Sequence, residues 1–230
     1  MKKKQRKNFV LISLIIIILL VISFFVYNKI DYQTDIENLD LFGIDDLIIV
    51  SHPSDELVYS TKQILNGKNL VVCISCSKEK PDTKSFIRIM KKTKNEYITF
   101  DYKEYKNSNR LNWDKNKLTK DLEKIIDTKN WNSIITHNSE GEYGNIHHIL
   151  VSDIVTNLVK DKDKLYYFAD YYYINKNSKT YDYLPQLDEE ILKEKYKLLN
   201  RYPNKKEIIE TYYDILPYEE YIPYRKWIIK

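Results

Sequence analysis

Two short segments carry most of the residues that could do chemistry in this chain. Residues 52–56 follow an apolar run and place a histidine and an aspartate three positions apart on a turn that contains a proline. Residues 136–148 contain the other three of the four histidines and two of the four glycines. A catalytic zinc ion takes three ligands from the protein and keeps a fourth position for water. The candidate ligands are His52, Asp55 and either His147 or His148.

A purely structural role for these histidines is the alternative. His52 and His148 could be helix-end residues that bond the backbone, and we expect His137 to do so. The spacing alone leaves the choice between metal ligands and structural histidines open.

Alternating strands and helices must position the two segments. Short apolar runs predict strands, and stretches with apolar residues at helical spacing predict helices between them. This alternation predicts a single Rossmann-like α/β domain with a mostly parallel sheet. Ligands bind outside the carboxyl ends of the strands in such sheets, and both histidine segments follow strand ends. The predicted strands are Leu47–Val50, Leu70–Ile74, Tyr97–Phe100, Ser133–Thr136 and Lys164–Phe168. The predicted helices are Glu56–Leu65, Thr83–Lys92, Lys115–Ile126, Ile149–Val159 and one from Asp188, before an aromatic-rich tail that wraps the domain.

The first thirty residues predict a membrane anchor. Residues 1–8 hold five Lys or Arg side chains, whereas the nineteen residues 9–27 carry no charge and would span about 28 Å as a helix. No small-residue cleavage pattern follows, which favours an uncleaved anchor. Because the basic residues precede the span, we expect a single-pass protein with a cytoplasmic N-terminus and an extracytoplasmic domain. The predicted organisation is a basic segment at 1–8, a transmembrane anchor at 9–27, a linker at 28–44 and the α/β domain at 45–230.

The composition excludes several functional classes. The chain has 37 Lys and Arg against 33 Asp and Glu residues, and a net charge of +4 is too small to indicate a nucleic-acid partner. Hydrophobic residues make up 43% of the 230 residues, which excludes global disorder. Two cysteines do not make a disulfide scaffold, and we predict that Cys73 and Cys76 do not pair. Residues three apart in an extended strand are ~10 Å apart, which is too far for a disulfide.

The two histidine segments together resemble the PIG-L/LmbE-like family. His-Pro-Ser-Asp-Glu at 52–56 and Gly-Glu-Tyr-Gly-Asn-Ile-His-His at 141–148 are similar to the family's His-Pro-Asp-Asp-Glu and Gly-Glu-Tyr-Gly-His-x-x-His patterns. The resemblance covers roughly residues 46–158, and residues 217–223 also look like the family's ending. It implies a zinc-dependent hydrolase that removes the N-acetyl group from an N-acetylglucosamine-type sugar, with Zn²⁺ as cofactor and an amino-sugar glycan or glycolipid as partner. The implied zinc ligands are His52, Asp55 and His148.

Two positions depart from the family's pattern. Ser54 stands where the family has the aspartate that serves as general base, and a serine hydroxyl accepts protons poorly near neutral pH. Asn145 stands where the family has a histidine, and an amide can donate a hydrogen bond to an oxyanion but cannot deliver a proton. The alternative function is therefore a catalytically impaired pseudoenzyme that serves as a carbohydrate-binding or assembly module.

The resemblance also suggests roles for the neighbours of the ligands. The catalytic candidates are Ser54 and Asn145, with Asn145 expected to stabilise the oxyanion, and Glu56, which adjoins Asp55 in the sequence and is a conceivable substitute for the missing carboxylate. The implied substrate-binding residues are Glu142, Tyr143 and His147.

Overall fold

The computed structural model describes residue 8 and residues 11–19, 32–103, 112–169 and 184–229. The chain divides into two compact units, residues 1–31 and residues 32–230. In the first unit, residues 11–19 are helical. Within the described ranges, no helix is both long enough and apolar enough to cross a membrane. Residues 9–10 and 20–27 of the predicted anchor lie outside those ranges, as do residues 1–7 and 28–31, so the anchor and its flanks stay predictions.

A six-stranded sheet lies at the centre of the second unit. Its strands are β1 (Asp46–Val50), β2 (Asn69–Cys73), β3 (Glu96–Thr99), β4 (Ser133–Thr136), β5 (Leu165–Phe168) and β6 (Tyr221–Pro223). They lie in the order β3-β2-β1-β4-β5-β6. The first five are parallel, and β6 is antiparallel to β5. A single α/β domain with a mostly parallel sheet is therefore confirmed.

The helices are α1 (Asp55–Asn66), α2 (Pro81–Thr93), α3 (Lys115–Ile126), α4 (Ile146–Leu158), α5 (Glu189–Leu199), α6 (Lys205–Tyr212) and the short α7 (Tyr224–Trp227), and a short helical turn at Gly141–Gly144 precedes α4. Helices α1 to α4 alternate with the strands as predicted, and α5 is the helix predicted after Asp188, whereas α6 and α7 were not predicted. Leu47 and Ile49 of β1 belong to the same core cluster as Leu118 of α3. The intervening Ile48 points to the opposite face of the sheet and is also fully buried. Burial on both faces explains why the strand reads as an unbroken apolar run.

The order of the strands brings the two histidine segments together. β1 and β4 are neighbours, with Ile49 paired to Thr136, although two other strands separate them along the chain. Parallel strands end at the same edge of a sheet, so the residues that follow β1 and β4 lie side by side. This edge is the place where open α/β sheets bind ligands.

Two features of the sheet differ from the sequence-based expectation. The aromatic-rich tail contributes strand β6, which was not predicted because three residues are too few to show a period of two. The prediction that Cys73 and Cys76 stay unpaired is wrong, since they form a disulfide with a Cα–Cα separation of 5.9 Å. Strand β2 ends at Cys73 and the chain bends at Ile74, so the distance expected for an extended chain does not apply.

The buried ion pair of Lys195 and Glu219 binds backbone groups at a break in helix α1. The helix is interrupted at Ser60, where φ is −146° and ψ is 27°. The backbone N–H groups of the next two residues donate to the carboxylate of Glu219 at 2.7 and 2.9 Å. The fully buried ammonium of Lys195 donates to the Val58 carbonyl at 2.7 Å and to Glu219 at 3.0 Å. Backbone groups that the break releases are thus satisfied by two side chains from the C-terminal part of the chain.

Candidate metal centre

Three side chains from the two segments converge at the carboxyl ends of β1 and β4. His52 Nδ1 lies 3.1 Å from both Asp55 Oδ2 and His148 Nε2, and the last two atoms are 3.3 Å apart. Ligand atoms around a tetrahedral zinc ion are separated by about 3.3 Å when each lies about 2.0 Å from the ion. The three atoms therefore fit such an ion in spacing and in donor type. Asp55 and His148 are buried, whereas the side chain of His52 is 21% exposed, so the centre opens to solvent at His52.

The backbone at Ser54 sets the direction of Asp55. Ser54 has a φ of 91°, a left-handed conformation that non-glycine residues seldom adopt. Its N–H donates to Glu56 Oε2 at 2.9 Å, and α1 begins at the next residue. The backbone N–H of His52 then donates to Asp55 Oδ2 at 2.8 Å. The turn thus fixes the carboxylate oxygen that points at both histidines.

Glu142 supports the centre from behind. Its Oε2 lies 2.6 Å from His148 Nδ1 and 3.0 Å from His137 Nδ1, while its Oε1 accepts the Asn138 N–H at 2.9 Å. A carboxylate accepts hydrogen bonds, so both Nδ1 atoms carry the proton. His148 Nε2 is therefore left with a lone pair for a metal, an arrangement that proteins commonly use to orient metal-binding histidines.

The backbone around Glu142 is shaped to bring this carboxylate inward. Glu142 has a φ of 57° and is fully buried. The preceding Gly141 has a φ of 65°, and a Cβ there would lie 2.9 Å from Ile149 Cγ1. A glycine is needed at this position because a side chain would collide with α4.

His137 binds the backbone, as the sequence suggested. Its Nε2 accepts the N–H of Ser51 at 2.9 Å, and its ring stacks on that of His148 with centroids 3.7 Å apart. His137, Glu142 and His148 also lie close enough to hold an ion. The Nδ1 atoms of both histidines are, however, hydrogen-bonded to Glu142 Oε2, so these three residues support the first group of ligands.

The charges at the centre favour a cation between Asp55 and the histidines. Burial by itself would raise the pKa of Asp55, but His148 and His52 lower it well below its usual range. Burial would lower the pKa of His148, but the charge of Asp55 and its hydrogen bond, together with Glu142, raise it. Burial and the neighbouring His148 lower the pKa of His137. Asp55 is therefore an anion that a proton or a metal ion can neutralise.

The three predicted catalytic candidates occupy different positions. Ser54 is buried in the turn beside Asp55. Glu56 faces the interior, where the Tyr202 hydroxyl donates to its Oε1 at 2.6 Å and burial raises its pKa to about 8. Asn145 caps α4, because its Oδ1 accepts the N–H groups of His147 at 2.9 Å and of His148 at 3.4 Å.

The predicted substrate-binding residues also lie at different places around the centre. Glu142 lies beneath the histidines. Tyr143 is 41% exposed, and its ring lies 5.5 Å from that of His148. The ring of His147 lies 5.8 Å from that of His52 and 4.3 Å from that of Trp113. Tyr143 and His147 therefore flank the centre, while Glu142 does not reach its surface.

Sequence reasoning missed three aromatic residues near the centre. Trp113 packs on His147, Tyr202 binds Glu56, and the Tyr212 hydroxyl donates to that of Tyr143 at 3.1 Å. All three lie far along the chain from the residues they contact, and no local pattern distinguishes them from the many other aromatic residues of this chain.

This chain is thus an α/β protein with a candidate three-ligand metal centre at the carboxyl ends of β1 and β4. No protein-family model matches the chain. Among curated proteins, it is 28% identical over 183 residues to the uncharacterized protein L374 of Acanthamoeba polyphaga mimivirus, covering 69% of this chain and 78% of that protein. Among solved structures, it is similar to N,N'-diacetylchitobiose deacetylase from Pyrococcus horikoshii in complex with an inhibitor. The TM-score is 0.49 with 13% identity, over 83% of this chain and 80% of the other.

Proposed function

We propose that this protein is a metal-dependent hydrolase that removes the N-acetyl group from an amino sugar. The observation that carries the proposal is the convergence of His52 Nδ1, Asp55 Oδ2 and His148 Nε2 within 3.1–3.3 Å of one another. A zinc ion bound by these atoms would polarise the acetyl carbonyl and lower the pKa of water. The resemblance of residues 52–56 and 141–148 to the PIG-L/LmbE-like patterns supports the N-acetyl sugar as substrate.

The residues of this chain supply the remaining requirements in part. Asp55 is held as an anion, Glu142 keeps His148 in the metal-binding tautomer, and the partly exposed His52 leaves an approach from solvent. A strong general base is lacking at position 54, because Ser54 stands where the family has a carboxylate. Losing one acid or base group lowers a rate by about 10²–10⁴-fold, so we expect a slow enzyme.

The first experiment measures zinc in the purified full-length chain. We expect about one zinc ion per chain, which His148→Ala removes. Asp153→Asn serves as the control, since Asp153 is an exposed residue on the same helix. Acetate release from N-acetylglucosamine and chitin oligosaccharides is then measured for the zinc-loaded protein. A folded chain without zinc would overturn the proposal, and zinc without acetate release from any such sugar would favour the carbohydrate-binding alternative.

We also propose that the domain lies outside the cytoplasm on the anchor predicted at residues 9–27. The basic residues before this apolar stretch support that orientation. Protease added to intact cells that express the chain should digest the domain and spare a cytoplasmic marker. Protection of both would overturn this orientation.

A further inference from the structure

The first turn of helix α1 carries the candidate ligand Asp55 and lies between two irregular backbone positions. Ser54, with its φ of 91°, immediately precedes the turn, and the break at Ser60 follows it. Because Ser60 departs from helical dihedral angles, residues 55–59 are set apart from the rest of α1. Contacts from outside the helix can therefore decide the direction of this turn and of the carboxylate that it carries.

Tyr202 holds the start of the turn through one carboxylate. Its hydroxyl donates to Glu56 Oε1 at 2.6 Å, and Glu56 Oε2 accepts the Ser54 N–H at 2.9 Å. Tyr202 is 1% exposed and Glu56 is fully buried, so bulk water does not compete for either hydrogen bond. A hydrogen bond between buried groups is electrostatically stronger than one in water. Tyr202 thus reaches the left-handed residue that directly precedes Asp55.

The other end of the turn is held from the same part of the chain. Lys195 of α5 donates to the Val58 carbonyl at 2.7 Å, close to the break. Tyr202 lies three residues after the last residue of α5. Side chains from α5 and the residues just after it therefore bind both ends of the turn that carries Asp55.

Tyr202 is itself fixed by contacts away from the metal centre. Its backbone N–H donates to the Leu199 carbonyl at 3.0 Å, which ties it to the end of α5. The carbonyl of the preceding Arg201 accepts the Ser85 hydroxyl of α2 at 2.9 Å. The position of the Tyr202 hydroxyl is thus set by two helices that supply none of the candidate metal ligands.

We propose that Tyr202 is a positioning residue for the metal centre. Acting through Glu56, it keeps the turn at Ser54 in the conformation that points Asp55 Oδ2 at the two histidine ligands. That oxygen lies 3.1 Å from one ligand nitrogen and 3.3 Å from the other, and a metal site tolerates deviations of only about 0.2 Å in its ligand distances. This inference rests on the proposed function, because it requires a metal ion at these ligands.

The test measures zinc affinity of the full-length chain by competition with a chromogenic chelator, for the parent, Tyr202→Phe and Tyr167→Phe. Tyr167 is the matched control, because it is 2% exposed and its hydroxyl shares a 2.6 Å hydrogen bond with Thr156 Oγ1. Each variant loses one buried hydroxyl with a hydrogen bond of the same length. A purely structural role for Tyr202 would lower the melting temperature of both variants and give them the same zinc affinity.

We expect Tyr202→Phe to weaken zinc binding about 10-fold. It should also change the visible absorption spectrum of bound cobalt(II), which depends on the geometry of the ligands. Tyr167→Phe should keep the affinity and the spectrum of the parent. Equal zinc affinity in Tyr202→Phe and the parent would overturn this inference alone, as would equal losses in the two variants.

Glu56→Gln tests whether Tyr202 acts through the carboxylate. A glutamine has one acceptor oxygen and an amide nitrogen that cannot accept, so one of the two hydrogen bonds is lost. We expect about 10-fold weaker zinc binding, to which Tyr202→Phe adds at most about 2-fold in the same chain. Fully additive losses would contradict the route through Glu56.

Two further results also decide the matter. If Tyr202→Phe does not fold, Glu56→Gln is compared with Tyr167→Phe in its place, and parent-like zinc affinity in Glu56→Gln would contradict the inference. A parent protein that binds no zinc would overturn the proposed function and this inference with it.

Discussion

The Oε2 atom of Glu142 lies 2.6 Å from Nδ1 of His148, so the residue that completes the candidate metal centre is oriented by a carboxylate six positions earlier in the chain. Both groups are fully buried. This contact is shorter than the one between Glu142 and His137, at 3.0 Å, and it determines which nitrogen of His148 faces Asp55.

Replacing Glu142 should therefore weaken metal binding without removing a ligand. We expect Glu142→Gln to lower zinc affinity about 10–100-fold, because a neutral amide neither fixes the His148 tautomer nor raises its basicity. Competition with a chromogenic zinc chelator measures the affinity. Glu140→Gln is the control, since Glu140 is exposed two residues away. Unchanged affinity in Glu142→Gln would show that the contact does not support the metal.

Zinc affinity should fall as the pH is lowered through the histidine range. Asp55 and Glu142 raise the pKa of His148, so a proton competes with the metal at its Nε2 up to a higher pH than for an ordinary histidine. The pKa of Asp55 is held well below its usual range, so Asp55 adds no competition in the same interval. Titration of the chelator competition from pH 8 to pH 5 should show affinity that rises with pH. The pH midpoint should move lower in Glu142→Gln, because one of the groups that raise the His148 pKa is lost.

Supplying a carboxylate at position 54 should increase activity. Ser54→Asp places a proton acceptor next to Asp55, and aspartate tolerates the left-handed backbone at this position better than most residues. We expect the rate of acetate release from a responsive N-acetyl sugar to rise about 10²-fold or more. Asn116→Asp is the control, because it adds a carboxylate to the exposed surface of α3. A parent already as active as Ser54→Asp would mean that another group serves as base.

Replacing only one partner of the buried pair of Lys195 and Glu219 should lower the free energy of unfolding strongly. Lys195→Met leaves the Glu219 carboxylate buried without its cation, and we expect the free energy of unfolding to fall by about 3–5 kcal/mol. Lys197→Ala removes an exposed pair with Glu194 on the same helix and should cost at most about 1 kcal/mol. Denaturant unfolding measures both. A loss for Lys195→Met no larger than for Lys197→Ala would show that the break in α1 does not depend on this pair.

Much of the fold could be predicted because its signals are local. The runs at Leu47–Val50 and Ser133–Thr136 are short, apolar and bounded by polar turns, and the structure has strands at both places. The rest of the fold could not be predicted, because it depends on contacts between distant residues or on elements too short to show the hydrophobic periodicity of a strand or helix. Strand β6 and the disulfide between Cys73 and Cys76 are of this second kind. The disulfide depends on a bend at Ile74, which the strand-like sequence around Cys73 does not predict.

The sequence by itself determined the order of the elements and the two segments that meet at the candidate metal centre, because periodicity and motif spacing act over a few residues. Parallel strands then bring His52 and His148 together although 96 positions separate them. Only the tertiary structure decided that Glu142 lies behind the histidines, that Asn145 caps α4 and that Tyr212 holds Tyr143 from 69 positions away. These outcomes follow from how packed elements aim individual side chains, and no pattern within a single segment records that direction.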